Sequence, residues 1–134
     1  MTTAQQTQPW NTTAATAAGR SLPHTIALWT LSIAAAGMFL MAGFGKLSGN
    51  PQMVGLFDLI GVGQWFRYVT GGIEVLGAVA LFVPAVALYG ALALAATMVG
   101  AVITHLTIIG DTPTIPVVLL ATTAFIAWSR GSRR

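Results

Sequence analysis

Long apolar stretches with almost no charged residue dominate this chain. Of its 134 residues, 55% are hydrophobic and 7% are charged, whereas a soluble domain carries roughly 25% charged residues. About 20 apolar residues suffice for a helix to cross a hydrocarbon core of about 30 Å. The composition therefore predicts an all-α integral membrane protein with one membrane domain. Because cysteine is absent, disulfides, thiol relays and Cys-ligated metal centres are excluded.

Proline, glycine and helix-capping residues divide the apolar sequence into four predicted spans. They run approximately over residues 25–47, 68–82, 85–109 and 113–128. Between the first two spans, Asn50 can cap and Pro51 can begin a segment that ends at Ile60 and carries its apolar residues on one face. Ten residues are too few to cross, so this helix is predicted to lie at the interface. The sequence thus predicts a four-helix membrane bundle with a short interfacial amphipathic helix between spans one and two.

The two ends of the chain are polar and basic. Residues 1–20 are rich in Thr, Ala and Gln and are predicted to form a disordered tail. The four-span domain is predicted over residues 21–130, followed by a basic tail at residues 131–134. Four antiparallel spans put both termini on one side, with more cations than the other side, which predicts cytoplasmic termini and a multi-pass protein of the cell membrane. The cations at that side are Arg20, Arg130, Arg133 and Arg134.

Those few cations favour contact with the lipid bilayer and do not indicate nucleic-acid binding. The sequence is compatible with a membrane protein partner and with association of two copies of the chain. The two histidines, His24 and His105, are predicted at opposite ends of the bundle, so they cannot share a metal ion or bracket a haem. His24 is interpreted as an interfacial residue, and no metal site is predicted.

Glu74 is the residue that most needs a physical explanation, because it lies inside the second apolar stretch. A carboxylate in hydrocarbon is costly unless it faces a partner or a polar cavity. The four-span topology brings it to the outer side of the membrane, together with Lys46, Asp58, Arg67, His105 and Asp111. His105 is the expected partner of Glu74, and Lys46 is the next.

Two interpretations of these residues stay open. In the first, Glu74 and His105, with Lys46 or Arg67, line an outward-opening pocket that exchanges protons with a ligand. A quinone head group is one candidate ligand, and no residue is assigned as catalytic. In the second, Glu74 ties two spans together, His105 donates an interhelical hydrogen bond and Lys46 snorkels to the interface. Arg67 and Asp58 are then interfacial anchors.

Three short sequence blocks and one aromatic segment resemble a known family. They are Gly43-Phe44-Gly45-Lys46-Leu47, Gly72-Ile73-Glu74-Val75-Leu76-Gly77, Gly100-Ala101-Val102-Ile103-Thr104-His105-Leu106 and Trp65-Phe66-Arg67-Tyr68. In order and spacing they resemble the DoxX-like branch of the DoxX family of small membrane proteins, over about Ile26 to Trp128. The resemblance implies a four-helix membrane bundle and an association with quinone-linked or sulfur-compound oxidation and with oxidative-stress complexes. Lys46, Glu74 and His105 occupy the recurrent polar positions of that family.

The residues and the resemblance together favour a subunit or accessory of a quinone-linked membrane redox system, with an outer-side polar pocket. The alternative is a non-catalytic assembly or scaffolding protein, as some related eukaryotic proteins are. A proton or solute conduit ranks last, because the cytoplasmic halves of the spans carry few polar residues. Fold transfers within such a family more securely than activity does.

Overall fold

The computed structural model describes residues 21–134, and each regular element in that part of the chain is helical. The predicted N-terminal tail, including Arg20, lies outside the described residues. The helices are α1 (Leu22–Leu47), α2 (Pro51–Ile60), α3 (Gln64–Ala80), α4 (Ala87–Thr104), a π-helical turn (His105–Ile109) and α5 (Thr114–Gly131).

Three of these helical segments are long and apolar enough to cross a membrane. They are Leu22–Leu47, the continuous stretch Ala87–Ile109 and Thr114–Gly131. This confirms the all-α class and the membrane character of the chain. Helix α3 is shorter, with 17 residues, and at 1.5 Å per residue it is about 25 Å long. That α3 forms a further span therefore remains a prediction.

The four longer helices pack in a closed ring. Helix α1 lies against α3 and α5, and α4 lies against the same two helices. Side chains that these helices bury between them form the apolar core, whereas many large apolar side chains face outward, as expected for a protein surrounded by lipid. Core members are Leu28, Ala35, Phe39, Ala78, Leu94 and Ile126. Outward-facing examples are Met41, Leu76 and Trp128, which are 78%, 72% and 68% exposed.

Helix α2 begins and ends as the sequence predicts. The side chain of Asn50 accepts a hydrogen bond from the backbone N–H of Gln52 at 3.0 Å, which satisfies one of the unpaired donors of the first turn. Pro51 is the first helical residue, where its missing N–H costs nothing. At the other end, Gly61 adopts a left-handed conformation with φ 79°, which terminates the helix. The short turn to α3 therefore has a fixed direction.

Glycines allow α3 to approach both of its neighbours closely. A Cβ atom added at Gly43 of α1 would lie 2.9 Å from the carbonyl oxygen of Gly71, and one added at Gly90 of α4 would lie 2.9 Å from that of Gly77. Neither position has room for a side chain, so backbone packs directly on backbone, as in small-residue helix interfaces of membranes. The close contact of α1 and α3 determines which side chains meet beside Gly43 and Gly71.

The C-terminal end of the chain contacts the turn between α3 and α4. Arg134 donates a hydrogen bond from Nη2 to the carbonyl oxygen of Ala85 at 2.7 Å, and its guanidinium lies 5.2 Å from the centre of the Tyr89 ring. This turn follows Ala80 and contains Pro84, which cannot continue a helix without losing a hydrogen bond. The predicted tight hairpin of α3 and α4 is therefore present, and its exposed backbone is partly satisfied by Arg134.

Candidate functional site

Glu74 forms an ion pair with Lys46 across the contact between α3 and α1. The ammonium nitrogen of Lys46 lies 3.0 Å from Oε1 and 2.8 Å from Oε2 of Glu74. The Glu74 side chain is 1% exposed and that of Lys46 is 14% exposed. The sequence predicted His105 as the first choice of partner for Glu74 and Lys46 as the second, whereas in the structure Lys46 is the partner. The reason is local. Gly71 has no side chain, so the Cβ atom of Lys46 packs directly against the backbone of α3.

Arg67 holds the end of α1 that carries Lys46. It donates from Nη1 to the backbone carbonyl oxygen of Lys46 and from Nε to Oε1 of Gln64 at 2.6 Å. Its side chain is buried, and the guanidinium carbon lies 4.4 Å from the centre of the Tyr68 ring. A cation at the C-terminus of a helix satisfies carbonyl groups that lack an intrahelical partner. Arg67 therefore positions the Lys46 backbone and is not an exposed interfacial anchor.

Gln64 connects this arrangement to α2. Its amide nitrogen donates to the Val54 carbonyl oxygen at 3.0 Å and to Oδ1 of Asp58 at 2.7 Å. Since its amide oxygen accepts from Arg67, a continuous chain of polar contacts runs from Asp58 to Glu74. Sequence reasoning missed Gln64. Its spacing of three residues before Arg67, on the first turn of α3, was the signal that could have identified it.

His105 pairs with Asp111 across the π-helical turn. Nδ1 of His105 lies 2.5 Å from Oδ1 of Asp111, and the side chains are 24% and 57% exposed. The turn closes with the N–H of Gly110 donating to the His105 carbonyl oxygen at 2.8 Å, and Gly110 has φ 74°. Such wide turns are rare and occur often at functional sites.

Asp111 lies just before α5, where an aspartate often caps a helix, but it does not cap α5. Helix α5 begins at Thr114 with Pro113 in the capping position and without a side-chain cap. The carboxylate of Asp111 instead accepts from or pairs with the imidazole of His105, because the π-helical turn brings the chain back toward that ring. Pro116 falls within the first turn of α5, where its missing N–H is tolerated.

The Lys46–Glu74 ion pair and the His105–Asp111 pair both line one cavity of about 730 Å³, whose walls come from all five helices. The cavity lies beneath the apolar face that was predicted for α2. Arg67 does not line it, whereas the other three predicted pocket residues do. The polar lining consists of Lys46, Glu74, His105, Asp111 and the threonines Thr70, Thr97 and Thr104; much of the apolar wall consists of Met53, Leu56, Ile60, Phe66, Met98 and Leu119.

The chemistry of the lining combines a large apolar wall with two acid–base pairs. The threonine hydroxyls at positions 70, 97 and 104 already donate to backbone carbonyls of their own helices. The ionisable groups of the lining are those of the Lys46–Glu74 and His105–Asp111 pairs. Across residues 21–134, no three His, Asp or Glu side chains come together in a geometry suited to a metal ion. The site is suited to an apolar molecule that carries a small number of polar atoms.

A family model described as the DoxX-like family matches residues 30–127 of the chain. The chain belongs to the DoxX-like family. No curated protein and no solved structure matches it significantly. The matched part of this DoxX-like protein includes the cavity and both side-chain pairs, whereas the arginines after residue 127 lie beyond it.

Proposed function

We propose that this DoxX-like protein is a subunit or accessory of a quinone-linked redox system in the cell membrane, and that the cavity beneath α2 is its ligand site. The observation that carries this proposal is the meeting of two acid–base pairs, Lys46–Glu74 and His105–Asp111, on the wall of one largely apolar cavity. Paired ionisable groups at the wall of such a cavity are a common feature of binding sites for small molecules.

The residues of the cavity fit a quinone head group. Its ring is planar and apolar and matches the side chains of Phe66, Met98 and Leu119, while its carbonyl oxygens accept hydrogen bonds of the kind that Lys46 and His105 donate. When bound, a quinone supplies redox chemistry with uptake of protons. The protein's own groups bind and orient the ring, Glu74 balances the charge of Lys46, and Asp111 orients the imidazole of His105.

The two pairs differ in the access that they give to protons. Glu74 is buried and paired with Lys46, so its carboxylate faces the cavity and not the surface. Asp111 is largely exposed and holds the imidazole of His105 at the cavity wall. His105 therefore connects the exposed Asp111 with the cavity, a position from which an imidazole can pass a proton to a bound ligand.

The same proposal includes four membrane crossings with both termini in the cytoplasm. Helix α3 lies between α1 and α4, two helices that are long enough to span, and its one acidic side chain is neutralised by Lys46. Because the arginines at the end of α5 mark the cytoplasmic side by the positive-inside rule, the cavity opens on the opposite side.

Titration of the purified protein with a quinone analogue tests the site. Glu74→Gln and His105→Ala remove polar groups from the cavity, and Thr107→Val changes an exposed residue of the same π-helical turn that does not line it. We expect roughly tenfold weaker binding for each of the first two variants, the effect of about one charged hydrogen bond, and unchanged binding for the third. Equal affinity in all three variants would contradict the cavity assignment.

A non-catalytic assembly or scaffolding protein is the second candidate. It is supported by the polar contacts that run from Asp58 through Gln64 and Arg67 to the end of α1, since these join α1, α2 and α3 without needing a ligand. Complementation of a deletion strain distinguishes the two functions. Full activity of the Glu74→Gln variant, together with recovery of a stable membrane protein partner, would favour the scaffold.

A further inference from the structure

The arginines at the end of α5 have no acidic side chain of the chain to pair with. The sequence contains three acidic residues, and each is engaged elsewhere. Asp58 accepts from Gln64, Glu74 pairs with Lys46 and Asp111 pairs with His105. The negative charge that balances the α5 arginines must therefore come from outside these side chains.

Arg130 is the arginine for which this matters most. Its Nε and Nη2 atoms are buried, and neither has a hydrogen-bond partner among the described residues. The guanidinium carbon lies 5.4 Å from the centre of the Trp29 ring of α1, a contact that attracts a cation but accepts no hydrogen bond from these atoms. Buried donors that lack an acceptor cost free energy, and charged donors cost more.

The two unpaired atoms lie on the same edge of the guanidinium group. In arginine, Nε–H and one N–H of Nη2 point in parallel, which lets them donate together to two oxygens of one carboxylate or phosphate. The donors that the fold leaves unsatisfied are thus the pair that recognises a phosphate group in a bidentate manner.

A second unpaired polar atom lies between the same two helices. Nδ1 of His24, in the first turn of α1, is buried without a hydrogen-bond partner in the described part of the chain. The His24 ring lies 6.4 Å from that of Phe125 of α5, which in turn lies 6.1 Å from that of Trp128. Trp side chains with a polar tip are enriched at the level of lipid head groups, so this end of the α1–α5 contact is at the depth where lipid phosphates lie.

We propose that the end of the molecule where α1 begins and α5 ends binds the phosphate of an anionic phospholipid, with Arg130 as its bidentate ligand and His24 as a further polar contact. Arg130 reaches the phosphate by a turn of its flexible side chain toward the head groups, as snorkelling arginines do. That movement replaces two unsatisfied donors by two charge-assisted hydrogen bonds. This site is separate from the cavity and does not depend on the proposed function.

The neighbouring arginines provide controls. Arg134 is engaged with the Ala85 carbonyl oxygen and the Tyr89 ring, so it is not a free ligand. Arg133 is exposed and contributes only general attraction to anionic lipid. One cation near a membrane surface raises the affinity for such lipid on the order of fivefold. Arg130→Gln and Arg133→Gln therefore each remove one positive charge from the same end of the protein, but only Arg130→Gln removes the proposed bidentate ligand.

Native mass spectrometry of the full chain in detergent, with added short-chain phosphatidylglycerol or phosphatidylcholine, tests the proposal. We expect phosphatidylglycerol to be retained more strongly than phosphatidylcholine. Arg130→Gln should weaken that retention by roughly tenfold or more. Arg130→Lys should restore it only in part, because lysine lacks the two parallel donors of the guanidinium edge. Arg133→Gln should weaken retention less than Arg130→Gln does. Helix content by circular dichroism shows that each variant is folded.

Two results would overturn the proposal. Equal losses for Arg130→Gln and Arg133→Gln, or no loss in either, would indicate general charge attraction without a site at Arg130. Displacement of the lipid by inorganic phosphate at millimolar concentration, with the same dependence on Arg130, would identify free phosphate and not a lipid as the ligand.

Discussion

The ammonium group of Lys46 contacts both carboxylate oxygens of Glu74, at 3.0 and 2.8 Å, so the buried acid of α3 is held by the last turn of α1. The contact is found where Gly43 and Gly71 bring the two helices together. The pair thus has two properties at once: it stabilises the contact of two helices, and it presents ionisable groups to the cavity.

Removal of either partner of this pair should destabilise the protein, but not equally. Lys46→Met leaves the fully buried carboxyl group of Glu74 without its partner, with an expected cost of about 3 kcal/mol. Glu74→Gln leaves Lys46, whose ammonium group can turn toward water along its apolar stem, so the cost should be smaller. Unfolding in detergent at neutral pH measures both. In the double variant the two losses should not add, and strict additivity would contradict a direct pair.

Two glycines of α3 test how closely α1 and α3 pack. An alanine Cβ at Gly71 would lie 2.9 Å from the Cβ atom of Lys46, whereas one at Gly72 would meet no atom within 4 Å. Gly71→Ala should therefore lower the free energy of unfolding by about 1–3 kcal/mol. Gly72→Ala should leave it unchanged or raise it, since alanine favours a helix over glycine. A similar thermal shift for both variants would argue against the close helix contact.

Arg67 should protect the end of α1 from local opening. In Arg67→Gln, the Lys46 carbonyl oxygen loses the guanidinium donor and keeps only the Gly49 N–H, so amide hydrogen exchange should become faster at Ser48 and Gly49, whose N–H groups bond to the same last turn. Tyr68→Leu removes only the ring beside the guanidinium and serves as the control. Faster exchange in the control alone would show that the ring contact, and not the hydrogen bond, holds the turn.

The His105–Asp111 pair should contribute little to stability, because both side chains are partly exposed. Asp111→Asn should change the free energy of unfolding by less than about 1 kcal/mol. Any difference from the unaltered protein should shrink at 1 M salt, where exposed charges are screened. Measurement of unfolding at low and high salt checks this, and a large loss that salt does not reduce would contradict an exposed pair.

Elements set by local sequence could be predicted well. Asn50 with Pro51 starts α2 and Gly61 ends it, because capping and backbone preferences act within a few residues. The buried strip of α3, which includes Gly71, Glu74 and Gly77, is likewise set by local sequence, since helical periodicity alone determines which residues share a face.

Features that depend on contacts between helices could not be predicted. Whether Lys46 or His105 meets Glu74 depends on the rotation of α1 and α4 about their axes, and that rotation follows from where glycine lets the backbones touch. The π-helical turn has no local signature, and it decides whether Asp111 caps α5 or pairs with His105. The fourth crossing and the ligand remain predictions.

The short length of α3 has a consequence for the surrounding lipid. In the four-crossing arrangement, a helix of about 25 Å faces a hydrocarbon layer of about 30 Å, a hydrophobic mismatch that a bilayer accommodates by local thinning. The guanidinium of Arg134, bound at the Ala85 carbonyl, lies where the α3–α4 turn ends, and a cation at this position should attract polar head groups and water. The protein should therefore partition into thinner regions of a membrane and deform thicker ones most at that turn.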